Sequence, residues 1–106
     1  MTIDDSAGDH SATERRRRRL LYRASHRGTK ECDLMIGGYV ASRLASLSDA
    51  EMDALEAVME LPDTDLTDWL TGRQPIPAGD DSPMLREILA FVASGGAHGA
   101  GGAHGA

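Results

Sequence analysis

The sequence predicts an all-α fold, a small compact bundle of five short helices. Three observations carry that prediction. Apolar residues from Leu20 to Val92 recur at three- and four-residue steps, and no alternating strand run appears. Helix starts are marked by Thr29, by the capping box Ser48-Asp49-Ala50-Glu51 and by Ser82-Pro83. Helix stops are marked by Gly28, Pro62 and Gly72. A chain of 106 residues holds one domain at most.

The first helix is expected from Glu14 to about His26, with Leu20, Leu21 and Ala24 as its short apolar patch. Gly28 can take the left-handed conformation that ends a helix, and Thr29 can cap the next. The second helix, from about Lys30 to Leu44, turns Cys32, Met35, Ile36, Tyr39, Val40 and Arg43 or Leu44 to one buried face. Gly37-Gly38 inside it costs about 1 kcal/mol per glycine against alanine, so close approach of another helix or a kink is expected there. The third helix follows the capping box, with Met52, Leu55, Val58 and Met59 inward. The fourth starts after Pro62 and turns in Leu66, Trp69 and Leu70, with Trp69 in the core rather than in a site. The fifth carries Leu85, Ile88, Leu89 and Val92 inward and fades at Ser94-Gly95.

The flanks read differently. Residues 1–12 are polar and aperiodic, and predict a disordered acidic arm. Residues 95–106 repeat GGAHGA twice and predict a flexible tail, the folded domain being 13–94. Histidines 98 and 104, in a repeat without fixed geometry, do not make a metal site.

Composition narrows the function. The single cysteine, Cys32, excludes an internal disulfide and a multi-cysteine zinc site, and reads as a small buried helix residue. No apolar run of membrane-spanning length occurs. The acidic beginning fits neither a secretory signal nor a transit peptide, so the chain is expected to stay where it is made. No nucleophile–base arrangement, phosphate loop, dinucleotide fingerprint or metal motif is present. An enzyme is therefore not expected, nor a bound cofactor.

Net charge is −6, yet the charges are segregated: eight of the eleven basic residues lie in 15–30, which contains no acid. Either the basic end meets an acidic partner or the two ends meet each other. The run Arg15 to Arg19 offers an alternative function, a small helical nucleic-acid-binding module. Against it, five consecutive arginines point all round a helix, and no second basic helix follows to enter a groove.

The turn His26-Arg27-Gly28-Thr29-Lys30-Glu31 is the stronger candidate. Gly28 and Glu31 each have a structural task, as the left-handed turn residue and as an acid in a first helical turn. What those tasks leave over is an expected exposed cluster of guanidinium and carboxylate beside His26 and Tyr22, suited to a partner protein.

Two stretches, LLYRASHRGTKECDLMIGGY and LSDAEMDALEAVMELPDTDLTDWLTGRQPIP, make the chain similar to the SdhE family of succinate dehydrogenase flavinylation factors. The family's Arg-Gly-x-x-Glu motif is matched by Arg27, Gly28 and Glu31, with the following aspartate at Asp33. Its D-x-D-L-x-x-W-L segment is matched by Asp63, Asp65, Leu66, Trp69 and Leu70, and the likeness covers about residues 18 to 92. The resemblance implies a five-helix bundle without catalytic residues of its own. It implies a chaperone that binds the flavoprotein subunit of succinate dehydrogenase, and in some bacteria that of fumarate reductase, and promotes covalent attachment of FAD to a histidine there. It places Arg27, Gly28 and Glu31 at that interface, with the motif's Asp33 following; Tyr22, His26 and Lys30 join them as neighbours in the turn. The arginine run, the acidic arm and the GGAHGA tail lie outside the family pattern, and Gly37-Gly38 is unusual for it; within the family, a bacterial cytoplasmic member is expected rather than a mitochondrial one.

Overall fold

The computed structural model describes residues 2–96, with side chains from residue 12 onward. Five helices follow in order: α1 (Thr2–Ser25), α2 (Lys30–Arg43), α3 (Asp49–Met59), α4 (Asp63–Leu70) and α5 (Pro83–Ala93). Single 3₁₀ turns at Leu44–Ser46 and Ala78–Asp80 lie within the connections. No strand occurs among the described residues. Helix α2 is the centre of the bundle, packed on α1, α4 and α5, while α3 also packs on α1 and α5.

The expected start signals operate. Thr29 Oγ1 accepts from the Cys32 amide and Ser82 Oγ from the Leu85 amide. Ser48 and Glu51 make both bonds of the capping box, at 2.8 and 3.1 Å, each satisfying an amide that the helix itself leaves unpaired. The first helix differs from expectation. It begins at Thr2 rather than near Glu14, so residues 2–12, expected as a disordered arm, continue its backbone. A helix anchored by packing at one end propagates outward at one hydrogen bond per added residue, without a second nucleation. The repeat beyond residue 96, including both tail histidines, lies outside the described residues.

The core is continuous and takes apolar side chains from every helix. Leu20 and Ala24, the α2 face from Cys32 to Val40, the α3 face, Leu66, Trp69, Leu70, Leu85 and Ile88 are buried as the periodicity requires. Leu47 and Met84 join them. Leu89 and Val92, expected inward, pack against the core and are partly buried. Gly37 answers the question its sequence position raised: a Cβ there would stand 2.7 Å from Ser25 Oγ and 3.0 Å from Ser25 Cα. Close approach of α1 and α2 therefore requires a residue without a side chain. Cys32 is buried, its Sγ directed at the Asp63 carbonyl (3.6 Å) and 3.3 Å from Thr67 Oγ1, which links α2 to α4.

Across the bundle, the buried Tyr39 donates its hydroxyl to Glu87 Oε1 at 2.6 Å and meets Phe91 edge-on. Burial, and then the bond to the carboxylate, push its pKa from 10.0 up to about 12. The unfolded chain thus loses this proton first. The stability the group contributes is whole below pH 10 and is lost as pH rises towards 12. Tyr39→Phe is expected to cost about 1 kcal/mol at neutral pH and to flatten the alkaline loss of stability; urea titrations at stepped pH check both.

Candidate functional site

The turn between α1 and α2 is built by Gly28, whose φ of +110° is open to glycine and strained for other residues. A Cβ at Gly28 would meet nothing within 4 Å, so only the backbone conformation, not space, demands glycine in the free chain. Asp33 braces the turn from one helical turn further on: its Oδ1 accepts from the Arg27 amide at 2.6 Å, and its own amide donates to the Thr29 carbonyl at 2.9 Å.

Arg27 does not stand out from this turn as an exposed fork. Its guanidinium reaches across to the α3–α4 junction. Nε donates to Asp63 Oδ1 (2.7 Å), one terminal nitrogen to the Met59 carbonyl (2.9 Å) and the other to the Leu61 carbonyl (3.0 Å). The ion pair with Asp63 closes at 2.6 Å, with side chains 11% and 23% exposed. One arginine thus satisfies carbonyls left over at the end of α3 and holds the carboxylate that opens α4. The expectation that the Arg27 guanidinium and the Glu31 carboxylate share one exposed patch is corrected. Glu31 faces the other way, half exposed, 3.9 Å from Arg73.

The remaining expected residues are displayed to solvent. Tyr22 and His26 stack, ring centroids 4.0 Å apart and 18° from parallel, with His26 Nδ1 2.8 Å from the Tyr22 carbonyl oxygen. Both are exposed, and with Arg23, Arg27 and Met59 they line a shallow concavity. Lys30 is exposed at the first position of α2. The structure therefore separates the seven candidates into two kinds. Arg27 and Asp33 look inward and fix the turn; Tyr22, His26, Gly28, Lys30 and Glu31 form its outer surface.

Three contributors were missed from sequence: Asp63, the partner of Arg27; Arg73, which spans Glu31 and Asp68 (3.7 Å); and Leu34, 45% exposed. Only Leu34 gave a local signal, because it falls out of phase with the buried stripe of α2.

The arginine run is divided among neighbours. Arg16 turns onto α3, to Asp53, to Glu56 (3.3 Å) and to Asp49 (3.6 Å). Hydrogen bonds to Asp53 and then Glu56 hold its pKa above the ordinary value. Arg17 donates to the Leu47 carbonyl at 3.1 Å, and Arg18 lies 3.8 Å from Glu14. The basic segment and the acidic α3 meet each other, one of the two outcomes the charge segregation allowed. No cluster of three metal-ligating side chains occurs among the described residues, and no described helix is long and apolar enough to cross a membrane.

The pattern of one protein family, described as flavinator of succinate dehydrogenase, matches residues 18–92. The chain belongs to this family. The matched span starts within the arginine run and ends in α5, so it contains the whole turn and both of its internal anchors. Among family relatives, the FAD assembly factor SdhE of Acetobacter pasteurianus is 47% identical over 74 residues, 70% of this chain and 68% of the relative. The protein of the same description from Ralstonia nicotianae is 33% identical over 90 residues, 85% of this chain and 94% of that one. A mitochondrial succinate dehydrogenase assembly factor 2 from Mycosarcoma maydis is 40% identical over 70 residues, 66% of this chain but only 29% of its own length. These descriptions are of assembly factors, not of catalysts. No solved structure matches the chain at a significant level.

Proposed function

We propose that this chain binds the flavoprotein subunit of succinate dehydrogenase and promotes covalent attachment of FAD to it, acting as a chaperone. The observation that carries the reading is the α1–α2 turn. It is locked from inside by Arg27, Asp33 and Asp63 and presents Tyr22, His26, Gly28, Lys30 and Glu31 outward. A family whose members are described as FAD assembly factors supports the same conclusion.

The mechanism asks little chemistry of this chain. Attachment requires the flavin and the client's histidine in near-attack geometry. A protein that binds the competent client conformer more tightly than the others raises its population by the ratio of those affinities. In this reading Glu31 and Lys30 meet polar groups of the client, Tyr22 and His26 supply a flat aromatic contact, and Gly28 permits close backbone approach. Arg27 and Asp33 act through the turn they hold.

Co-purification with the apo flavoprotein subunit tests this, comparing wild type, Gly28→Ala and Gly28→Arg. Both variants carry the same strained φ, but only arginine adds bulk on the outer surface. Capture by wild type, reduced capture by the alanine variant and none by the arginine variant are expected. Equal capture by all three would remove the turn from the interface.

A further inference from the structure

Two large apolar side chains stand exposed among the described residues, Tyr22 at 63% and Leu34 at 45%, and they flank the candidate turn. Tyr22 is accounted for by its stack with His26. Leu34 is not. It lies three residues beyond Glu31, on the same side of α2. Together they border a groove of 390 Å³ between α2, α4 and α5. Met35 and Leu70 reach its floor from the core, and the partly buried Leu89 and Val92 close it from α5. A singly exposed leucine needs no explanation. One that walls an apolar groove, next to the acid of a partner-facing motif, marks a contact surface.

We infer that this groove receives an amphipathic segment of the flavoprotein client, an apolar side chain entering between Leu34, Leu89 and Val92 while an adjacent lysine or arginine meets Glu31. This rests on the client-binding reading above and extends it to a second, apolar part of the interface. Charge selects the occupant. The charged residue lining the groove is acidic, and its present counter-ion, Arg73, is held loosely, 3.9 Å from Glu31 and 3.7 Å from Asp68, on a side chain 60% exposed. A client cation can replace that contact at little cost, because exposed pairs at such distances contribute little. The position of Glu31, shared by groove and turn, makes the two surfaces continuous.

The test combines one variant with one spectroscopic readout on the full chain. Leu34→Asp, its folding checked by thermal melt, is titrated with the apo flavoprotein subunit beside wild type. Methyl resonances of Leu34, Leu89 and Val92 in the wild-type chain are followed in the same titration. At least a tenfold loss of affinity in the variant, with client-induced shifts at all three residues, is the expected result. Affinity equal to wild type, or methyls unmoved by bound client, overturns the inference and leaves the turn reading standing. Shifts that appear with FAD alone, or on concentrating this chain without client, overturn it in favour of a flavin or a second copy. If the wild-type chain does not bind the subunit at all, both readings fall. Should Leu34→Asp not fold, the wild-type methyl shifts decide alone.

Discussion

Arg27→Ala is expected to lower the stability of the domain by about 3 kcal/mol, near the lower end for breaking a largely buried ion pair because Asp63 remains partly open to water. For a domain of this size that is a drop of more than about 10 °C in Tm. The loss has three parts. Asp63 keeps a carboxylate without its cation, and the carbonyls of Met59 and Leu61 lose their donor. The α1–α2 turn also loses its tie to the α3–α4 junction. Arg27→Lys should recover only part of this, since one ammonium cannot reproduce a planar fork that meets Asp63 and two carbonyls together. Asp63→Asn should be intermediate, keeping an acceptor for Nε but not the charge. Urea unfolding of the three variants gives the order directly. Any accompanying loss of client binding should follow the loss of stability, since Arg27 acts on the contact surface through the turn it holds.

Glu31→Ala should show the opposite behaviour. Its carboxylate is half exposed and 3.9 Å from Arg73, so stability should stay within about 0.5 kcal/mol of wild type. Binding to the client should nevertheless weaken at least tenfold, about 1.4 kcal/mol, because the carboxylate faces outward and the proposed contact desolvates it. Thermal melts and a binding isotherm on the same preparation check both halves. Two neighbouring residues of one motif are thus separated, Arg27 acting through the fold and Glu31 through the surface. A Glu31→Ala variant that binds normally would move the interface away from the first turn of α2.

The helices were legible in the sequence because their punctuation is local. A capping box needs four residues and a left-handed glycine only one, and the structure uses Ser48, Ser82, Thr29 and Gly28 as that grammar implies. The start of α1 was not legible, since extension of a helix beyond its packed turns leaves no apolar period to read. The candidate turn was legible as a position but not as a geometry. The partners of Arg27 lie 32 to 36 residues away, at the junction of two other helices. An acid at the opening of α4 has a sufficient local explanation in the helix dipole, which conceals its second task. Leu89 and Val92 are in phase with the α5 core, and only the tertiary gap between α2, α4 and α5 leaves them partly uncovered.

On the proposed function, this chain speeds a reaction whose chemistry belongs to its client. The most direct measurement is reconstitution from purified components: apo flavoprotein subunit and FAD, with and without this chain, covalent flavin being read by in-gel fluorescence over time. Faster and more complete attachment is expected with the chain, and the rate without it when Glu31→Ala is substituted. Attachment proceeding at the same rate and to the same extent whether or not the chain is present would contradict it.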